Sequence, residues 1–140
     1  MKQTRFWPKL IGMALLLHVI LILLSIAEVA FYSYLVEPGH DQKYYEAHAE
    51  QSGPWISTIA GSLLCFVLVR RYCRKFSTRK LTYALALPLV YMAFDIIILL
   101  AAGAGADSIN ATSLMSGSVK LGASLLAYYV YRSKTIAQTL

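Results

Sequence analysis

Apolar residues fall in four long blocks along the chain, separated by short polar segments. Leu10 to Val36 is broken by little besides His18, Ser25 and Glu28, and Trp55 to Val69, Leu81 to Ala102 and Thr112 to Tyr131 follow it. A helix rising about 1.5 Å per residue needs roughly 20 residues to cross a hydrocarbon core about 30 Å thick. The first, third and fourth blocks reach that length. The second reaches it by continuing through Arg70, Arg71 and Tyr72, whose long side chains extend to the headgroups. The pattern predicts an all-α polytopic membrane protein with four transmembrane helices in an antiparallel bundle, spanning about 10–36, 54–72, 81–102 and 112–131. Residues 1–140 form a single transmembrane domain in this reading.

The connections carry their own signals. Glu37, Pro38 and Gly39 end the first span, and "DQKYYEAHAEQ" predicts a short helix lying on the membrane surface, with Tyr44 and Tyr45 at headgroup level. Ser52, Gly53 and Pro54 then read as the start of the second span, because proline is favoured at a first helical position. "GAGADSIN" predicts a tight turn with Asp107, Ser108 or Asn110 as helix cap. Asn110 also opens a glycosylation sequon too close to the membrane to carry weight. Pro88 predicts a kink in the third span. The basic start and apolar run at the N-terminus resemble a signal peptide, but the run continues through "VAFYSYLV", so an uncleaved anchor is expected.

Composition sharpens the membrane reading. Hydrophobic residues make up 58% of the 140 residues and charged ones 14%, too few to cover a soluble core. The formal charge of +6 is concentrated in Lys2, Arg5, Lys9, the loop "RRYCRKFSTRK", Arg132 and Lys134, with no acidic residue among them. Glu37, Asp41, Glu46, Glu50 and Asp107 occupy the opposite side, with Lys43 as the only base. This positive-inside asymmetry predicts cytoplasmic termini in a plasma membrane or a bacterial inner membrane. The basic charge therefore reads as topology and contact with anionic lipid, and no nucleic-acid partner is expected. Cys65 and Cys73 lie about 12 Å apart along a continuous helix, beyond disulfide reach, and read as free thiols.

The candidate chemistry is a buried charge cluster of Glu28, Asp95 and Lys120. Counted from the outer ends of their spans, all three lie roughly 10 to 12 Å inward from the same face. Ala14, His18, Leu21, Ser25, Glu28 and Tyr32 form a polar stripe on the first span, and Ser113, Ser116, Gly117, Ala123, Ser124, Ala127 and Tyr131 surround Lys120 on the fourth. Tyr91 lies one turn before Asp95 on the same face. The expected arrangement pairs Asp95 with Lys120, supported by His18, Ser25, Tyr32, Tyr91, Ser116 and Ser124, because an unpaired charge at mid-span costs about 2.5 to 3.5 kcal/mol. Glu28 is then the leftover carboxylate and the one expected to hold a proton. Ser57, Gly61 and Ser62 add a close-packing surface on the second span.

The functional expectation is a structural or accessory membrane protein locked by this cluster, with the bilayer and a membrane-protein partner or second copy as partners. The alternative is a small proton- or cation-coupled carrier or channel, in which two carboxylates facing one lysine leave a charge for a proton to neutralise. An intramembrane enzyme using a serine or Cys65 with His18 is a remote third reading, since no nucleophile elbow, phosphate loop or zinc motif is present. No cofactor and no catalytic residue is expected, and no metal, with His40 and His48 only weak ligand candidates.

Overall fold

The protein is described by a computed structural model that covers residues 6–76, 78–101, 103 and 111–137, the side chains of 111, 112 and 134–137 excepted. Lys2, Arg5, the side chain of Lys134, and the turn with Asp107, Ser108 and Asn110 lie outside the described residues. The structure is helical: α1 (Phe6–Phe31), continued by a π-helical turn Tyr32–Val36, then α2 (Gln42–Lys75), α3 (Lys80–Ala101) and α4 (Ala111–Ala137). Three of these segments, Phe6–Val36, Gln42–Lys75 and Lys80–Ala101, are long and apolar enough to cross a membrane. At 27 residues α4 has the length, about 40 Å, but its serines and Lys120 lower its hydropathy.

One expectation is corrected here. The surface helix and the second span are a single 34-residue helix, and Pro54 lies inside it. The start is set by Asp41, whose side chain accepts from the Tyr44 N–H at 3.1 Å, and helix-forming Gln, Lys, Glu and Ala carry the helix forward. Pro54 removes one backbone donor, at a place where Glu50 is exposed and its carbonyl can turn to water. The Thr58 hydroxyl donates to the Pro54 carbonyl at 2.7 Å and ties the next turn to it. At about 51 Å, α2 is longer than a hydrocarbon core is thick. Pro88 lies buried within α3, which runs through it as one helix.

Contacts at the helix ends give the directions. Phe6 at the start of α1 meets Tyr72 near the end of α2 and Tyr83 near the start of α3, and Lys80 at the start of α3 meets Tyr131 late in α4. Consecutive helices therefore run in opposite senses. Phe6, Leu10, Ala14, Val69, Cys73, Tyr83, Ala84, Leu87 and Ala127 form an apolar core towards the basic end, and Leu17, Leu21, Cys65 and Tyr91 continue it to mid-height. Among the described residues, nothing is fully buried beyond Leu21 on α1, beyond Tyr91 on α3, before Gly61 on α2 or before Ser116 on α4. The half towards the acidic end is the less covered half.

The tightest seam joins α2 and α4. Gly61, Cys65, Val69 and Cys73 are buried at four-residue spacing on α2, and Ser116, Lys120, Ser124 and Ala127 are buried on α4. A Cβ built on Gly61 would stand 2.4 Å from Lys120 Cε, so the glycine is what lets the lysine stem cross α2. Gly117 has a softer neighbour, the thioether end of Met92. Gly61→Ala is expected to lower stability in detergent by about 1–3 kcal/mol and Gly117→Ala by clearly less. Equal losses in chemical unfolding of the two variants would contradict this close approach.

Candidate functional site

Lys120 is 1% exposed, and the groups in direct contact with its ammonium are neutral, with the Asp95 charge acting on it from beyond contact. Nζ donates to Ser116 Oγ at 2.8 Å, one turn earlier on α4, and to Ser57 Oγ at 2.9 Å on α2. It also lies 4.5 Å from the centroid of the Tyr91 ring on α3, within reach of a cation–π attraction. An ammonium has three N–H donors, and two hydroxyls and a π face occupy all three directions. One lysine thus ties three helices together.

Asp95 has a different partner from the expected one. Its Oδ1 accepts from His18 Nε2 at 2.9 Å, joining α3 to α1, and no ion pair links Asp95 to Lys120. The His18 ring also stacks on Tyr91 with centroids 4.3 Å apart. Tyr91 therefore lies between the two charged groups, touching His18 with its ring and Lys120 with its π face. The His18 side chain is 9% exposed and that of Asp95 is 47% exposed, so the carboxylate sits at the edge of the packed layer. His18 Nδ1 and Ser124 Oγ are buried without a hydrogen-bond partner among the described residues.

Glu28 is not part of this layer. It lies ten residues further along α1 than His18, about 15 Å at helical rise, and its carboxylate is met by α2: His48 Nε2 at 2.7 Å from Oε1 and the Ser52 hydroxyl at 2.9 Å from Oε2. The counting from outer ends assumed that the spans finish level. In the structure α1 and its π turn end at Val36 as expected, but His18, 18 residues before that end, meets Asp95, six residues before the end of α3, so α1 extends well past α3 and carries Glu28 beyond the layer. Tyr32 supports it indirectly, stacked on His48 at 3.6 Å between centroids. Ser25 is half-buried between the two levels and makes no side-chain hydrogen bond among the described residues.

The outer connection is built from aromatic rings on the same end. His40 stacks on Tyr44, whose hydroxyl donates to Glu37, and Tyr45 donates to the Glu37 carbonyl at 2.8 Å. The Tyr44 hydrogen bond holds the exposed Glu37 carboxyl below its ordinary pKa. His40 and His48, the weak metal candidates, serve different carboxylates: His40 lies 3.7 Å from Glu37 and His48 binds Glu28. Among the described residues no three His, Cys, Asp or Glu side chains gather in a way that could hold a metal ion.

The site is therefore a mid-height layer of His18, Ser57, Tyr91, Asp95, Ser116 and Lys120, with a separate outer contact at Glu28. Of the residues named from the sequence, the structure brings Ser116 and Tyr91 to Lys120, although Tyr91 was expected beside Asp95, and it adds Ser57, whose place in the four-residue series with Gly61 and Cys65 was the available signal. Comparison with protein-family models, curated proteins and solved structures finds no match. What the fold defines is a class only: an all-helical chain with three helices able to cross a membrane and a polar layer within it.

The pairing generates a coupling prediction. In a double-mutant cycle of His18→Ala and Asp95→Ala, unfolding in micelles should show a coupling of about 1 kcal/mol, as hydrogen-bonded pairs in membrane proteins do. The cycle of Asp95→Ala with Lys120→Ala should couple more weakly. The reverse order would mean that Asp95 and Lys120 are the true partners.

Proposed function

We propose that the chain is a four-span membrane protein, with both termini cytoplasmic in a plasma or bacterial inner membrane, and that its role is structural or accessory. Support for the fourth span comes from the way α4 is turned. Leu114, Met115, Val119, Leu126 and Tyr129 are exposed on its outer side, while Ser116, Lys120 and Ser124 are buried. A helix that shows apolar residues outward and hides its charge is arranged for a lipid solvent, and its modest hydropathy follows from the polar residues facing its neighbours. Orientation rests on charge: Lys9, Arg70, Arg71, Arg74, Lys75, Arg79, Lys80 and Arg132 gather at one end, and Glu37, Asp41, Glu46 and Glu50 at the other.

The observation that carries the structural role is the saturation of Lys120. A transported ion or substrate needs donors or acceptors left open for it, and this ammonium has its donors filled by Ser57, Ser116 and the Tyr91 ring. Such a group fixes which helix faces meet. The half-exposed Asp95 fits the accessory part of the reading, since a carboxylate at the rim of a packed layer is a natural contact for a membrane-protein partner or a second copy.

The same residue favours a second reading. Asp95 and His18 are two titratable groups in direct contact, one buried and one reachable, which is the minimum a proton-coupled carrier needs. The enzyme reading gains nothing comparable, because His18 bonds Asp95 and Cys65 is fully buried.

Two measurements test the proposal. Cysteine placed at Lys43 should react with an impermeant thiol reagent on intact cells, and cysteine at Arg74 only after permeabilisation; the opposite result would invert the topology. Purified protein in liposomes should conduct no protons or cations above empty vesicles under an imposed gradient. Flux that vanishes in Asp95→Asn would replace the structural role with the carrier.

A further inference from the structure

The basic end carries an arrangement that charge counting does not explain. Phe6, Tyr72, Phe76 and Tyr83 form one contiguous aromatic platform: Tyr72 stacks on Tyr83 at 3.8 Å, packs 4.7 Å from Phe76, and both tyrosines meet Phe6 edge-on. Lys9 Nζ lies 4.7 Å over Phe76 and the Arg79 guanidinium 5.5 Å over Phe6. Next to Arg79 in the chain, Lys80 Nζ lies 4.2 Å over the Tyr131 ring and donates to its hydroxyl at 2.9 Å. Three cations from two connected segments are thus fixed in place by rings.

Rings hold these cations without neutralising them. Every ion pair among the described residues lies elsewhere, at His18, His40 and His48, and Lys9 and Arg79 have no side-chain hydrogen bond. The backbone adds to the positive field, because α3 starts here with no acidic residue in its first turn. Arg79 takes φ 56°, the only positive φ outside glycine among the described residues, and its carbonyl accepts from the Tyr83 N–H at 2.9 Å. An arginine held in the left-handed region is strained, and such strain tends to be kept where a side chain must be aimed.

We propose that Lys9, Arg79 and Lys80 form a binding site for the phosphate of an anionic phospholipid in the leaflet at this end of the protein. A phosphodiester accepts several hydrogen bonds at once, matching the Lys9 ammonium and the Arg79 guanidinium, which make no side-chain hydrogen bond among the described residues, and the donors Lys80 keeps beside its bond to Tyr131. Its acyl chains would run down the apolar outer faces of the helices, which a free phosphate cannot do. The site rests on the membrane-spanning reading above.

The test uses the full chain in nanodiscs of equal parts phosphatidylglycerol and phosphatidylcholine, with retained lipids identified by native mass spectrometry. Wild type should retain phosphatidylglycerol over phosphatidylcholine by about tenfold or more. Lys9→Gln/Arg79→Gln/Lys80→Gln should lose that preference, while Arg71→Gln/Arg74→Gln/Lys75→Gln, equal in charge lost but without the ring contacts, should keep it. Equal loss in both triples would mean a diffuse charge effect and overturn the site, as would retention in the first triple. Inorganic phosphate that displaces the lipid would also overturn it, by pointing to a soluble anion. Should the first triple fail to fold, Phe76→Leu, which keeps every charge and removes the ring under Lys9, should weaken the preference several-fold, and an unchanged preference overturns the site. A chain that does not enter nanodiscs at all defeats the membrane reading instead.

Discussion

A buried lysine ammonium on α4, held by two serine hydroxyls and a tyrosine ring, is the constraint around which the helices are arranged. Each partner comes with a requirement. Ser57 must be one turn from Gly61 so that the lysine stem can cross α2, and Ser116 must be one turn before Lys120 on α4. Tyr91 must present its face from α3, and the same ring then stacks on His18 of α1. Four helices are brought into register by contacts that radiate from one nitrogen. An unpaired buried charge is costly, so any slip of α4 along α2 would expose that cost, which makes the packing specific even if the lysine adds little net stability.

Periodicity made the faces legible and left the neighbours hidden. The stripe from Ala14 to Tyr32 on α1 is the covered side of that helix, and the small residues around Lys120 are largely its buried ones, because 100° per residue needs no tertiary information. Asp95 was harder. Its depth and sign suited Lys120, but which helix stands beside which is a tertiary fact, and His18 was expected as support for the pair and not as the partner itself. Glu28 was misplaced because depth was counted from helix ends assumed to be level. His18 stands level with Asp95, so α1, which ends at Val36, reaches well past α3, which ends at Ala101. The "SGP" start failed for a related reason: proline marks a helix start only when no helix already leads into it.

The two ends of the protein solve different problems with the same residue types. At the acidic end, tyrosines and histidines stack and satisfy Glu28 and Glu37, so this connection is internally paired. At the basic end, aromatic rings carry cations that meet no carboxylate among the described residues. The acidic end is closed on itself and the basic end is left open to something anionic. Between them, the layer around Lys120 keeps polar groups bonded where water is scarce, and only Asp95 reaches its rim.

The central claim is that the Lys120 ammonium is dry and saturated within the membrane. Nitrogen-15 NMR of lysine-labelled protein in bilayers, transferred to deuterated water, tests it directly. One lysine ammonium should resist exchange long after the others have exchanged, and that resonance should be missing from Lys120→Met. If every lysine ammonium exchanges at the rate of the exposed ones, water reaches the layer and the account of a closed polar lock is wrong.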